Sequence, residues 1–381
     1  MLKTLAIENY RSLEDVTVGF EQLNVITGPN GSGKSNLYRA LGLINEVVHH
    51  GALTSLAHEG GLRNALYAGP RRSKRVALRL GIATDDFNYA IDLGLPQLGP
   101  FPLDPEVKSE TVWHGTVPRP ATILAQRSGQ NVTLVSESGS KEASPWKPRP
   151  EESMLAALTD PMISPELYSL KETARGWRFY DGLRVDLNSP ARRPSPATFT
   201  PTLAPDGSNL ASALATVLRV GQERSLRAAV AGAFDGADIS VEEDERGIAT
   251  LAFQSSGLKR ALNASEISDG TLRFIMLATI LHSPRPAPLL VLNEPESSLH
   301  ASLVPALARM IVTASRDSQI VVVSHSESLV QTLREEQSAT NIIELAPGSP
   351  TSIVGQMRFE GPEWAWPAAR SQPRTPASRS E

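Results

Sequence analysis

Residues Gly28-Pro29-Asn30-Gly31-Ser32-Gly33-Lys34-Ser35 fit the phosphate-binding loop pattern of a Gly, four residues, then Gly-Lys-Ser. In that arrangement the backbone N–H groups of Asn30, Gly31, Ser32, Gly33 and Asn36 close around phosphate oxygens, and a helix N-terminus adds a favourable dipole. Lys34 would reach the β- and γ-phosphates, and the Ser35 hydroxyl would hold Mg²⁺. A chance glycine-rich turn before a helix is the plain alternative. The flanking sequence argues against it. Leu23-Asn24-Val25-Ile26-Thr27 reads as a short buried strand entering the loop. Residues 36–48 read as a helix leaving it, with Leu37, Ala40, Leu41 and Ile44 on one face.

Two further positions could do chemistry with a bound nucleotide. The apolar run Leu289-Leu290-Val291-Leu292 ends in Asn293-Glu294, where a phosphate-loop protein carries a Mg²⁺-associated acid and a hydrolytic base. The run Ile320-Val321-Val322-Val323 ends in Ser324-His325. Short continuous apolar runs suit strands covered on both faces, as in a parallel sheet. Upstream, Ser268-Asp269-Gly270-Thr271-Leu272-Arg273 precedes an apolar helix over 274–281. Such a turn is either another anion site or an ordinary N-cap.

These motifs together resemble the RecF/SMC-like branch of ABC-type ATPases. The likeness is carried by the opening Leu5-Ala6-Ile7-Glu8-Asn9-Tyr10-Arg11-Ser12-Leu13, the loop extended through Asn36, the Ser-Asp-Gly-Thr-Leu-Arg stretch, and Asn293-Glu294-Pro295-Glu296-Ser297-Ser298-Leu299-His300. Leu203 through Leu210 adds to it, and the short stand-alone bacterial members are most alike. The resemblance implies an α/β fold of ABC-ATPase type, with a mainly parallel core sheet, an antiparallel β-subdomain and a helical lobe. It implies ATP and Mg²⁺ as cofactors. Asn9, Arg11 and Ser12 would lie near the nucleotide, Glu294 would be the general base, and His325 the γ-phosphate sensor. Ser268 and Gly270 would act on the nucleotide of a partner subunit, and residues 297–300 would cross to it. A glutamine usually completes the metal site, and Gln97 is the candidate, with Asp92 behind it.

Two departures stand out. The acid expected before the base is Asn293, which offers a carbonyl oxygen but no charge. Asp269 stands where many relatives have Gly, setting a negative charge beside an incoming phosphate unless it caps its own helix.

The chain has 381 residues, with motifs near both ends that must meet in space, so it reads as one core with an insertion. Residues 1–148 and 289–365 are expected to form the nucleotide-binding lobe, 149–288 a largely helical lobe carrying the signature, and 366–381 a tail unable to fold alone. Hairpins are expected over 76–95 and 122–135, helices over 166–174 and around Leu210, Leu214, Val217 and Leu218, and irregular chain over 188–205 with its five prolines. Without cysteine there is no disulfide or thiol chemistry. No apolar run approaches a membrane span, and no signal peptide is evident, so a cytoplasmic location is expected. The stretch after His325 is too short for the metal-binding nuclease domain of some relatives, and no long heptad run predicts coiled-coil arms.

A net charge of −4 gives no global support for nucleic-acid binding. Local clusters at Arg71-Arg72-Ser73-Lys74-Arg75, at Arg79 and at Arg192-Arg193 keep DNA open as a partner, each against the plainer reading of an exposed loop. The expectation is an ATPase that forms an ATP-dependent homodimer and acts on DNA or on a partner protein, in DNA maintenance or phage defence. The alternative is a nucleotide-dependent switch with little turnover that controls a separately encoded effector such as a nuclease.

Overall fold

Continuous apolar runs become the strands of a parallel sheet. A computed structural model describes residues 1–70, 77–97, 100–136, 139–158, 160–356 and 361–368. They divide into two compact units, each drawn from separated stretches of chain. The first holds residues 1–2, 20–38 and 176–356. Its main sheet has five strands, in the order Arg178–Asp181, Leu289–Asn293, Gln319–Val323, Leu23–Thr27 and Asn341–Glu344. Every neighbouring pair is parallel. Val25, Leu290, Leu292, Ile320 and Val322 are buried in a core shared with the helices Leu210–Val220, Asp269–Leu281 and Val304–Ala314. Burial on both faces is why these strands read as unbroken apolar runs.

Register puts the chemistry on one edge. Asp181 stands opposite Asn293, Asn293 opposite Val323, and Val323 opposite Ile26, so the carboxyl ends of these strands are level. In open parallel sheets ligands bind at that edge. Gln319 ties the opposite end together. Its side chain accepts from the Leu2 N–H at 2.8 Å and donates to the Leu2 and Glu21 carbonyls at 2.7 and 2.9 Å.

The second unit holds residues 3–19, 39–175 and 357–381. Its sheet has eight strands, joined largely as hairpins, from Leu13–Gly19 and Leu2–Tyr10 through Ala77–Thr84, Asn88–Gly94, Glu106–Trp113, Ile123–Ser128 and Asn131–Val135 to Lys141–Ala143. A wholly buried ion pair, Arg127 with Glu110 at 3.1 Å, locks its centre. Glu110 also accepts from Tyr89, Ser153 and the Met154 N–H at 2.6, 2.6 and 2.7 Å. Arg127 in turn donates to the carbonyls of Gly129 and Arg149. A buried charge pair is tolerated only with its remaining donors and acceptors satisfied, as here.

The expected lobes are redrawn. Residues 149–175 belong with the antiparallel sheet, and 176–288 with the nucleotide loop. The cause is the strand Arg178–Asp181, which hydrogen-bonds beside Leu289–Asn293 and draws its segment into the parallel core. The stretch 149–288 also carries the antiparallel strands Asp238–Glu243 and Ile248–Gln254, so it is not wholly helical. The expected tail begins too early. Trp366 packs edge-on against Trp364 with ring centres 5.3 Å apart, and the Arg79 guanidinium lies 4.3 Å from its ring centre. A tryptophan buries enough apolar area to hold such a segment. Residues 369–381 and the cluster Arg71–Arg75 lie outside the described residues.

Candidate functional site

The loop between Leu23–Thr27 and the helix Lys34–His50 is shaped for an anion. Gly28 has φ +145° and sits so tightly that a Cβ would stand 2.5 Å from the Leu345 carbonyl oxygen. At Gly31, φ +81°, the same construction meets nothing within 4 Å, so the loop opens outward there. Lys34 Nζ donates to the carbonyls of Gly28 and Pro29 at 2.5 and 3.0 Å, folding the ammonium over the loop. Burial lowers its pKa, and Glu294 opposes that shift. Ser32 Oγ is fully buried and has no hydrogen-bond partner among the described residues, an orphan that an incoming acceptor would satisfy. Ser35 is exposed at the start of the helix. A loop of backbone donors, an ammonium and a hydroxyl suits a phosphate chain carrying a hard cation.

Glu294 follows the strand Leu289–Asn293 with φ +46°, a left-handed conformation rare for a residue with a side chain. Its N–H donates to Val323 O at 2.8 Å. Its carbonyl accepts from Arg273 Nη2 at 2.8 Å. His325 Nδ1 is 3.4 Å from Glu294 Oε1, and both side chains are about half exposed. Ser324 Oγ donates to Glu296 Oε1. The structure therefore brings Lys34, Glu294 and His325 to the carboxyl edge of one sheet. Asn293 is there too, with its Nδ2 donating to Asp181 Oδ1 at 2.7 Å.

The signature turn lies in the same unit. Ser268 is an N-cap, its Oγ accepting from the Thr271 N–H at 3.1 Å, so the plain capping role exists alongside any other. Gly270 is needed for close approach, because a Cβ there would lie 3.0 Å from the Ser298 carbonyl oxygen. Ser298 itself has φ +64°. Asp269 is answered by Arg192, at 2.6 Å. That buried arginine also donates to the carbonyls of Val185, Ala264 and Ile267, so it is structural and not part of a basic patch. Arg193 is exposed.

Asn9, Arg11, Ser12 and Gln97 belong to the second unit. Asn9 and Arg11 have φ +68° and +49°. Asn9 Nδ2 donates to Ala77 O, and Arg11 is ion-paired with Glu59, which also accepts from the Tyr10 hydroxyl at 3.0 Å. Gln97 is exposed on a loop. Asp92 is buried and paired with Arg79 at 2.8 Å, which occupies the carboxylate as a structural charge. Arg79 also meets Glu8 at 3.0 Å, so it is no open basic site.

Sequence reasoning missed Arg273, although it ends the signature stretch. Its guanidinium is buried, bonding Leu183 O at 3.0 Å and Pro295 O at 3.4 Å as well as Glu294 O. Burial holds its pKa below the usual arginine value, with Glu296 and Glu294 opposing. Arg273 thereby joins the signature helix to the backbone of Glu294. Arg273→Ala leaves those carbonyls without donors and should lower unfolding stability by on the order of 3 kcal/mol. Arg273→Lys should recover only part, since an ammonium cannot reproduce the fork. Equal denaturation midpoints for the Ala variant and wild type would refute the clamp.

Among the described residues no helix is long and apolar enough to cross a membrane. The family described as "AAA domain, putative AbiEii toxin, Type IV TA system" matches residues 23–331. A curated relative, an OLD nuclease of Thermus scotoductus, is 46% identical over 44 residues. That match is 12% of this chain and spans 8% of the relative's length. Among solved structures, an SMC head bound to the C-terminal winged-helix domain of ScpA superposes with a TM-score of 0.52 at 14% identity, over 93% of this chain and 97% of that one. The SMC head of Thermotoga maritima gives a TM-score of 0.43 at 15% identity, over 93% and 98%. Family match and fold agree with the motifs, which resemble those of the RecF/SMC-like branch of ABC-type ATPases: the chain belongs to this AAA-domain family and has the P-loop NTPase fold of SMC heads.

Proposed function

We propose that this protein binds Mg·ATP, hydrolyses it, and closes into a symmetric homodimer in which each signature turn completes the other copy's nucleotide site. One observation carries the reading most directly. Lys34, the left-handed Glu294 and His325 meet at the carboxyl edge of one parallel sheet, while Gly270, two residues after Ser268, approaches the Ser298 carbonyl closely. Lys34 binds and orients the phosphates. Glu294 takes the proton of the attacking water, with His325 beside it to hold the carboxylate. Mg²⁺, when bound, neutralises charge that develops on the phosphates, and Ser35 with the Asn293 edge are the residues suited to hold it. Closure on ATP and opening after hydrolysis would move DNA or a bound partner protein.

The family's description names a toxin–antitoxin system, and the partial relative is a nuclease. Both favour a setting in defence or DNA maintenance. Asn293 supports a second reading, a slow switch that restrains a separate effector. Light scattering on the full chain tests the main reading: the mass should double with ATP and stay monomeric with ADP or no nucleotide. Phosphate release separates turnover from switching. One unchanged mass in all three conditions would overturn the dimer.

A further inference from the structure

The missing acid has a neighbour that can replace it. Asp181 ends the strand Arg178–Asp181, directly opposite Asn293 in the parallel register. Gly182 follows with φ +66°, so the chain turns away immediately after the carboxylate. Among the described residues Asp181 has one hydrogen-bond partner, the Asn293 amide at 2.7 Å, and no cationic one. Of the acids next to Asn293 in sequence, Glu294 faces His325, and Glu296 accepts from Ser324 through one carboxylate oxygen.

An asparagine amide has a donor end and an acceptor end. Here the donor end is spent on Asp181, which leaves the amide oxygen as acceptor and fixes a full negative charge one strand away. The pair Asn293–Asp181 carries the same charge as a single aspartate at residue 293. Among the described residues there is no cluster of three metal-ligating side chains. Mg²⁺ keeps several waters and is held by one or two carboxylates with substrate phosphates.

We infer that Asp181, oriented by Asn293, supplies the acidic charge of the Mg²⁺ site. The inference rests on the ATPase reading and assigns Asp181 a positioning role, acting on the water shell of the ion. Outer-shell partners of this kind tune metal affinity by about ten- to a hundredfold. It also changes the meaning of Asn293, since the site keeps its charge without an acid at that position.

The test is Mn²⁺ binding, read by electron paramagnetic resonance, on the full chain with a non-hydrolysable ATP analogue. Asp181→Asn is nearly isosteric and should weaken Mn²⁺ about ten- to a hundredfold. Binding of the analogue in EDTA should not change. Exchanging the pair, Asp181→Asn with Asn293→Asp, returns the charge to the same edge and should restore Mn²⁺ affinity to within a few-fold. Equal Mn²⁺ affinity in wild type and Asp181→Asn overturns the inference while leaving the ATPase reading intact. Weak binding in both the single variant and the exchange also overturns it, because the defect would then lie in the shape of the strand edge. A wild type that binds no analogue with or without metal overturns the ATPase reading, and this inference with it.

Discussion

Glu294→Gln should bind ATP as tightly as wild type and hydrolyse it at least about a hundredfold more slowly, the contribution typical of a positioned general base. The amide keeps the size of the side chain and can still accept from His325, but it cannot take a proton from water. The backbone around it should not relax, because the Glu294 N–H and carbonyl are held by Val323 and Arg273 whatever the side chain is. One opposing effect is electrostatic. Glu294 supports the charge of Lys34, so removing it lowers the Lys34 pKa further. A phosphate chain beside the ammonium should outweigh that loss, because bound phosphates carry more charge than one carboxylate. Analogue affinity should therefore stay within a few-fold, and an ATP-bound dimer should accumulate. Phosphate release at the wild-type rate would remove Glu294 from the role of base.

Ser268→Arg should abolish ATP-driven dimerisation while the monomer still binds ATP. The side chain would place bulk and charge at the turn where even a Cβ on Gly270 would lie 3.0 Å from the Ser298 carbonyl oxygen. The capping role demands a control. Losing the bond from Ser268 Oγ to the Thr271 N–H costs about 1 kcal/mol in itself. Ser268→Ala loses the cap without adding bulk, so it should destabilise the fold to that extent and still form some dimer. If both variants fail to dimerise equally, the effect is capping and not the interface. Mixing Ser268→Arg with Lys34→Ala should give at most one competent composite site per dimer, measured as phosphate release against mixing ratio. Loss of ATP binding by the Ser268→Arg monomer would place Ser268 in its own subunit's pocket.

Part of this protein is legible in its amino-acid sequence. The runs Leu289–Leu292 and Ile320–Val323 declare themselves because a strand covered on both faces must be apolar throughout. The phosphate loop, Glu294 and His325 are legible because their chemistry needs particular residue types at short spacing. The strand Glu106–Trp113 is not, since it spends buried positions on Glu110 and Thr111, and the Glu110 charge is tolerable only because Arg127 pairs with it. Arg178–Asp181 escapes notice for a different reason. Four residues carry too little periodicity to announce a strand, and pairing beside Leu289–Asn293 is what makes them one.

The site divides in the same way. Sequence alone marked a phosphate-loop pattern, Glu294 as the proposed base and the turn at Ser268–Gly270 as the proposed signature, because each is a local pattern read within a few residues. Only the tertiary structure decided which charges are available to them. It matched Asp269 with Arg192, withdrew Asp92 into a pair with Arg79, clamped Glu294 through Arg273, and set Asp181 against Asn293. Each of these contacts joins residues that are not neighbours in sequence. Its energy depends on burial and on hydrogen-bond distance, and neither exists until the strands have paired.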